Sequence, residues 1–412
     1  MTYLFQVSEN RDAFGRLRVS ENFTLGDYKH LYGLDPNFVD VKEYGGNLEF
    51  RLNESCARLS TNTHPSSNII HQTKFYHHYM PGKSQVILSS FNFFGNTANV
   101  VKRTGYFDDN DGIYLECSED GTLYFVIRSN VTGSPAERRV PQNQWNVDKC
   151  DGSGTSGFNI DITKTQLIHI DFQWLGVGKV RCGFVHDGEY VYAHDFLNSN
   201  NLEKVYMSNP NLPVRCEMRN TGVSTGSYMD QICSTVMSEG GYVEAGQDWA
   251  VSSPTSKVYA SGTTAPLAAI RLRNNFRGYN YNRMIVRIGN LNMFSDGESI
   301  AWHLVKLPGN AYISANVLAW TDVNTNSGVQ YNFDINSFTD GEEIDNGFVG
   351  ASTQGSQKAA GTPPSNIPSA AKKNYIVQNY YSDDSEIYLV YASNLGAQST
   401  NVRIGLQWRE IY

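Results

Sequence analysis

Alternating apolar and polar positions recur along the chain and indicate β-strands. In residues 168–174 every second residue is apolar, and the residues between them are His169, Asp171 and Gln173. Residues 402–408 repeat this pattern near the C-terminus. Since successive side chains of a strand point to opposite faces, each segment presents one face to a core and one to solvent.

Turn signals between these segments support the same interpretation. Six Asp-Gly dipeptides occur, and Asp-Gly supplies the positive φ angles that tight hairpins need. The clearest hairpin is predicted in residues 179–194, around Asp187-Gly188. No amphipathic helix of twelve or more residues is apparent, and the nearest candidate, residues 228–237, fits a strand equally well. The pattern therefore predicts an all-β chain built from two antiparallel, jelly-roll-like β-sandwiches.

The order of these segments predicts several regions. A chain of 412 residues exceeds the roughly 250–300 residues at which single cores stop growing. Residues 1–45 carry aromatic and apolar side chains without a sustained period, which indicates an extended arm. We expect a first sandwich in 46–242, a linker or long loop in 243–265, and a second sandwich in 266–412. A Gly-, Ser- and Pro-rich stretch, residues 350–373, is predicted to be a mobile insert.

Composition narrows the range of functions. The net charge is −8, whereas a nucleic-acid-binding protein normally carries a basic face. No apolar run approaches the roughly 18 residues needed to cross a membrane, and the first residues lack the features of a signal peptide. The six cysteines are scattered without a Cys-x-x-Cys pair, so reduced thiols are expected rather than zinc or disulfides. We therefore expect synthesis in a cytosol, with no nucleic-acid or membrane partner.

Two features of the sequence could indicate a metal site, but neither of them predicts one. An EF-hand alignment of the acidic stretch 108–112 places Phe107 and Ser118 at ligand positions, so this stretch is interpreted as a turn. A calcium site of another kind in this loop stays open. His77 and His78 are adjacent, and adjacent strand residues point to opposite faces. We expect no metal and no cofactor.

Catalysis is also not predicted. Glycoside hydrolysis needs two carboxylates about 5–10 Å apart, whereas strand 168–174 offers Asp171 alone, between His169 and Gln173. Neither a nucleophile elbow nor a phosphate-binding loop is present. We expect a chain that is not an enzyme, with glycoside hydrolysis as the less favoured alternative and Asp171 as its first candidate.

Glycan binding is a stronger alternative. Aromatic residues make up 12% of the chain, and Tyr and Trp combine a flat apolar face with a polar edge. The aromatic residues of alternating strands are assigned to cores. Those predicted in loops are the candidate ligand-binding residues, and they are Tyr106, Trp249, Tyr279 and Tyr281.

Particular segments resemble a known group of proteins. Residues 12–20, 105–112, 145–146, 171–181 and 211–215 are similar to segments in virion structural proteins of tailed bacteriophages. The resemblance spans most of residues 8–240 and carries no enzymatic motif. The central strands also resemble the concanavalin A-like or laminin G-like jelly roll, which is a likeness of fold.

The resemblance implies an oligomeric virion component, either a capsid decoration or fibre protein or a tail part. Its partners would be other virion proteins and further copies of itself, with a trimer favoured, and it would assemble in the host cytoplasm. A host-attachment module that binds a surface glycan is the alternative. We expect the arm to anchor the protein through six residues, Phe14, Arg16, Leu17, Arg18, Phe23 and Tyr28.

Overall fold

The structure is a computed structural model, and the regular secondary structure of its described residues is almost entirely β. It describes residues 22–279, 282–309, 311, 313–315, 320–339, 341–350, 359–361, 375–379, 381 and 384–411. Within this part of the chain a short 3₁₀ turn, Gln142–Gln144, is the helical element, and no helix could cross a membrane. The predicted all-β fold class is confirmed.

The chain divides into two compact units. The first comprises the residues up to Thr73 together with His77–Val243, and the second comprises Lys74–Tyr76 together with Glu244–Tyr412. The described part of the first unit contains fifteen strands: β1 (Asn22–Lys29), β2 (Phe38–Glu43), β3 (Asn47–Arg51), β4 (Cys56–Thr61), β5 (Asn68–Thr73), β6 (Ser84–Asn92), β7 (Val100–Phe107), β8 (Gly112–Cys117), β9 (Leu123–Ser129), β10 (Ala136–Pro141), β11 (Gln166–Phe172), β12 (Val180–His186), β13 (Glu189–Phe196), β14 (Val214–Asn220) and β15 (Ser227–Glu239).

These strands form a sandwich of two antiparallel sheets. An eight-stranded sheet has the order β13-β12-β11-β6-β15-β4-β3, with β1 added beside β15. A seven-stranded sheet has the order β10-β9-β8-β7-β14-β5-β2. Apolar residues of both sheets share one buried cluster, which includes Ile170 of β11, Phe125 of β9 and Met218 of β14. The alternation in residues 168–174 therefore reflects burial of one face of β11.

The predicted hairpin at Asp187-Gly188 joins β12 to β13. His186 pairs with Glu189, so the loop contains two residues, with φ angles of 50° and 83°. Positive φ at both positions is the geometry that suits the twist of adjacent strands, and it explains the Asp-Gly sequence.

Residues 22–45 differ from the predicted arm, because they contribute two strands to the sandwich. β15 pairs with β4 over Ser227–Gln231 only, and β1 covers the remaining length of β15 from Cys233 to Glu239. β2 pairs with β5 at the edge of the other sheet. The arm was predicted because these strands are short and lack a long apolar alternation.

Two of the six predicted anchoring residues are therefore engaged inside the first unit. Tyr28 is buried and its hydroxyl lies 2.8 Å from His77 Nε2. The ring of Phe23 stacks on that of Tyr242 at 4.7 Å. The remaining four, Phe14, Arg16, Leu17 and Arg18, lie outside the described residues.

A buried ionic network lies on the face of the seven-stranded sheet opposite to the core. Arg103 of β7 donates to Glu116 of β8 at 2.7 Å and to Glu217 of β14 at 2.8 Å. Arg215, also on β14, donates to Glu217 at 2.6 Å. All four side chains are at most 6% exposed. Opposite charges thus compensate one another where water is largely excluded.

The second unit is also built of antiparallel strands. Its described part contains fourteen strands: β16 (Gln247–Ser252), β17 (Lys257–Tyr259), β18 (Thr264–Leu272), β19 (Ile285–Ser295), β20 (Ile300–Leu307), β21 (Ile313–Ala315), β22 (Thr321–Asp322), β23 (Val329–Asn332), β24 (Ile335–Phe338), β25 (Glu342–Val349), β26 (Ala359–Gly361), β27 (Tyr375–Ile376), β28 (Ile387–Asn394) and β29 (Thr400–Ile411).

Two six-stranded sheets form this unit. One has the order β16-β29-β19-β26, with β17 beside β29 and β27 beside β19, and the other has the order β22-β23-β18-β28-β20-β25. Leu406 of β29 and Ile270 of β18 belong to one buried cluster, so the two sheets share a core. β21 and β24 form a separate two-stranded sheet.

The predicted linker, residues 243–265, differs from the structure. It contains β16 and β17, which both pair with β29. These are edge strands with many exposed positions, and their polar sequence therefore resembles that of a loop. Of the predicted insert, residues 350–373, the structure describes residues 350 and 359–361, and the latter form β26 beside β19.

Candidate functional site

The outer face of β11, β12 and β13 carries a group of aromatic and ionisable side chains. Ile168 and Ile170 of β11 point into the core, so His169 and Asp171 point to the opposite face. In the sheet register Asp171 lies opposite Arg181 of β12. These positions place one carboxylate, one imidazole and one guanidinium on the same surface.

Two tyrosines of β13 complete this surface. The ring of His169 lies 4.5 Å from that of Tyr190 and 5.4 Å from that of Tyr192, measured between centroids. The guanidinium of Arg181 lies 5.1 Å from the centre of the Tyr192 ring, a cation–π distance. Tyr190 is 51% exposed. We call His169, Tyr190 and Tyr192 the aromatic platform.

A glycine makes this ring contact possible. Gly183 of β12 pairs with His169 on one side and with Tyr192 on the other. It carries no side chain, so the rings of His169 and Tyr192 meet across the intervening strand. A Cβ at Gly183 would lie 2.1 Å from the carbonyl oxygen of Val191, too close for any other residue without a backbone shift.

His169 is neutral at physiological pH. Burial, and secondly the charge of Arg181, lower the pKa of His169 to about 4. Its Nδ1 atom is buried and has no hydrogen-bond partner among the described residues.

Asp171 has the opposite shift. Burial, and secondly the charge of Glu239, raise the pKa of Asp171 to about 6. No described residue donates a hydrogen bond to its carboxylate, whereas the nearby cations Lys179 and Arg181 both lie close to Asp195. Asp171 is therefore a partly buried hydrogen-bond acceptor without a donor among the described residues.

A cavity of about 370 Å³ adjoins the aromatic platform. Leu167 lines it and lies two residues before His169, on the same face of β11. Val185 also lines it and pairs directly with Tyr190. Directly opposed residues of an antiparallel pair have neighbouring side chains, so Tyr190 is the member of the platform that lies next to the cavity.

The predicted ligand-binding residues lie elsewhere. Tyr106 is completely buried, and its hydroxyl lies 3.2 Å from the carbonyl oxygen of His77, so it cannot contact a ligand. Trp249 lies in β16 and packs against the core of the second unit. Tyr279 is 60% exposed in the second unit, and Tyr281 lies outside the described residues.

The sequence interpretation missed Tyr190 and Tyr192 because it assigned aromatic residues of alternating strands to the core. The available signal was the phase of the alternation. In residues 190–193 the tyrosines alternate with Val191 and Ala193, and Ala193 is fully buried. The smaller apolar residues take the core positions, which leaves the tyrosines on the outer face.

The acidic loop before β8 is a hairpin turn. Asp108 Oδ1 accepts hydrogen bonds from the backbone N–H groups of Asn110 and Asp111, at 2.8 and 2.9 Å. Asp111 Oδ1 accepts one from the Ser208 N–H group at 2.7 Å. In the part of the chain that the structure describes, no group of three or more His, Cys, Asp or Glu side chains is placed to hold a metal ion.

The six cysteines are free thiols, and five of them are buried. Cys233 is the exposed one. Burial raises the pKa of the Cys216 thiol to about 12, so this side chain is an unreactive core residue.

Comparison with known proteins gives similarities of fold. No protein-family model matches the chain, and no curated protein matches it. Similar solved structures include a glycoside hydrolase family 16 endo-glucanase from Bacteroides ovatus, with 9% identity, 52% of this chain and 99% of that chain covered, and a TM-score of 0.33. The Emp47p carbohydrate recognition domain has 11% identity, coverage of 52% and 96%, and a TM-score of 0.30. A protein of unknown function from Shewanella oneidensis MR-1 has 9% identity, coverage of 55% and 90%, and a TM-score of 0.36.

Proposed function

We propose that this chain is a carbohydrate-binding protein, and that the aromatic platform with Asp171 is its binding surface. The observation that carries the proposal is the exposed ring of Tyr190, packed on His169 beside the Asp171 carboxylate, which accepts no hydrogen bond from the described residues. Aromatic faces bind the apolar faces of sugar rings, and an ionised carboxylate accepts hydrogen bonds from sugar hydroxyl groups. The two kinds of contact occur side by side here.

The charges of this surface favour a neutral glycan. Asp171, Asp195 and Glu239 place three carboxylates on or beside it, and the nearby cations Lys179 and Arg181 lie close to Asp195. A sialylated or sulfated sugar would bring a like charge toward Asp171 and Glu239, which costs free energy. Neutral hydroxyl groups carry no such cost.

We propose binding without hydrolysis. Two-carboxylate hydrolysis needs its acids about 5–10 Å apart. Asp171 pairs with Val86 of β6, and Glu239 pairs with Ser84 of the same strand, so the two acids are separated by two strand spacings and two residues. This register corresponds to roughly 12 Å between their Cα atoms. Asp195 lies closer, directly across β12 from Asp171 at roughly 10 Å between Cα atoms, but it forms an ion pair with Lys179. If the protein released reducing sugar from a glycan and Asp171→Asn abolished that release, hydrolysis would be shown and the proposal of binding alone would be wrong.

A glycan array tests the proposal. We expect the full chain to bind one or more neutral oligosaccharides, and we expect Tyr190→Ala to weaken that binding at least tenfold because the exposed stacking surface is lost. The matched control is Tyr32→Ala, since Tyr32 is a fully exposed tyrosine of the same unit outside this surface. Equal binding by the wild type and Tyr190→Ala, or binding of sialylated glycans alone, would contradict the proposal.

A virion role is a second proposal, and it is supported by the resemblance of residues 8–240 to bacteriophage virion proteins. It is compatible with glycan binding, because a receptor-binding part of a particle attaches to a host surface. In this proposal the chain is a homo-oligomer docked through its N-terminal residues onto other virion proteins, and a trimer is favoured.

Deletion of residues 2–21 tests the docking. The deletion must end there, because β1 begins at Asn22 and belongs to the eight-stranded sheet. We expect the shortened chain to fold, as judged by an unchanged thermal unfolding midpoint, and to be missing from assembled particles. Incorporation at the wild-type level would exclude anchoring by this segment.

A further inference from the structure

The cavity beside Tyr190 has a defined floor and two walls. Ser90, Leu167 and Val185, from β6, β11 and β12, form the floor. One wall is the tip of the β12–β13 hairpin, with His186 and Asp187, and the other is formed by residues 158–166.

The two walls meet at one side. The rings of Phe158 and His186 lie 4.4 Å apart between centroids, which joins the 158–166 segment to the hairpin tip. Hydrogen bonds stabilise the 158–166 wall: the Thr163 N–H group donates to Asp161 Oδ1 at 2.9 Å, and Gln166 Nε2 donates to the Asp161 carbonyl oxygen at 2.7 Å. The cavity is therefore an open recess that is closed on the side where Phe158 meets His186.

The lining suits a sugar. Asn159, Thr165 and Gln166 bring donors and acceptors to the cavity, and Leu167 and Val185 bring apolar surface. The cavity volume of about 370 Å³ lies within the usual range of small-molecule sites, roughly 300–1,000 Å³. The lining carries two carboxylates, Asp161 and Asp187, beside the imidazole of His186, and no lysine or arginine, which disfavours an anionic sugar.

We propose that this cavity binds the terminal sugar of a neutral glycan chain, while the following sugars lie over the aromatic platform, beginning at Tyr190. The inference rests on the proposed carbohydrate binding and adds that the protein recognises chain ends. It follows from two contacts: Val185 of the floor is the direct partner of Tyr190, and the Phe158–His186 contact joins the walls. A chain that enters from the platform therefore ends in the recess.

Filling the cavity tests this placement. Thr165 and Asn159 are exposed lining residues, so Thr165→Trp and Asn159→Trp are expected to fold normally. We expect each to weaken binding of short neutral oligosaccharides at least tenfold. Thr155→Trp is the matched control, because Thr155 is exposed in the adjacent loop and does not line the cavity, and it should bind within twofold of the wild type.

Recognition of glycan chain ends is tested directly with competitors that differ in their number of ends. Dextran, pullulan and mixed-linkage β-glucan would be compared with acid digests of each, as competitors at equal mass concentration. We expect the digest of the bound polymer to compete at least tenfold better than the intact polymer, since it carries many more ends. Equal competition by digest and polymer, or unchanged binding by both cavity variants while Tyr190→Ala loses binding, would overturn the inference and leave the proposed function standing. A wild-type protein that binds none of these glycans and none on the array overturns both.

Discussion

Replacing Glu217 by alanine is expected to destabilise the first unit by about 3–5 kcal/mol, the usual cost of breaking a buried ion pair from one side. Glu217 accepts hydrogen bonds from Arg103 at 2.8 Å and from Arg215 at 2.6 Å, and both guanidinium groups are at most 4% exposed. Its removal leaves the two cations buried without this carboxylate. Urea unfolding of the variant and the wild type at pH 7 measures the loss.

The same network makes stability depend on pH. Burial raises the pKa of Glu217, but the charges of Arg215, Arg103 and Arg128 outweigh it and lower that pKa to about 2. The unfolded chain titrates near 4.5. A depressed pKa stabilises the folded state above the unfolded value, so this contribution is complete above about pH 4.5 and is lost as the pH falls toward 2. The Glu217→Ala variant should lack this part of the acid dependence.

A surface pair provides the control. Glu49 accepts a hydrogen bond from Arg51 at 3.1 Å, but the two side chains are 56% and 35% exposed. Glu49→Ala should therefore cost less than about 1 kcal/mol. A loss of stability in Glu217→Ala no larger than in Glu49→Ala would contradict the role assigned to the buried network.

Asp171→Asn is expected to stabilise the protein and to weaken glycan binding. The pKa of Asp171 is raised to about 6 from an ordinary value of 3.8, so the ionised carboxylate destabilises the folded state. This cost appears as the pH rises from about 4 and is complete above about 6. At pH 7 the variant should gain roughly 3 kcal/mol, because each pKa unit corresponds to about 1.4 kcal/mol.

Binding should change in the opposite direction. A charged acceptor forms stronger hydrogen bonds than a neutral amide, so we expect Asp171→Asn to bind neutral oligosaccharides at least tenfold more weakly at pH 7. For the wild type, affinity should fall as the pH drops through about 6 and Asp171 takes up a proton. Glu203→Gln is the control, since Glu203 is exposed and has no hydrogen-bond or ion-pair partner in the described part of the chain. Parallel changes in stability and affinity would contradict this account of Asp171.

The sequence predicted the fold class because a strand that buries one face alternates apolar and polar residues. β11 and β29 were found from that period, and the β12–β13 hairpin from Asp187-Gly188. Edge strands such as β1 and β16 were missed, because half of their length faces solvent and their apolar residues are few. Pairing of β1 with β15 joins residues more than two hundred positions apart, which no local pattern reveals.

Less of the candidate site than of the fold could be predicted from the sequence. Asp171 and His169 were singled out correctly as outward residues of β11, since Ile168 and Ile170 set the phase. Their association with Tyr190 and Tyr192 depends on the register of β11, β12 and β13 and on the glycine at position 183. Tyr106 was assigned to a loop, whereas it lies within β7, a central strand that is buried on both faces.

Ring resonances of Tyr190 and Tyr192 provide the most direct measurement of the central claim. The full chain, labelled in its tyrosine rings and assigned with Tyr190→Phe and Tyr192→Phe, would be titrated with the oligosaccharide that binds best on the array. We predict saturable shifts of both rings at the affinity measured independently, with Tyr32 and Tyr44, two exposed tyrosines outside the site, unchanged. Saturable binding that leaves the Tyr190 and Tyr192 resonances unmoved would show that carbohydrate binds elsewhere and would contradict the assignment of this surface.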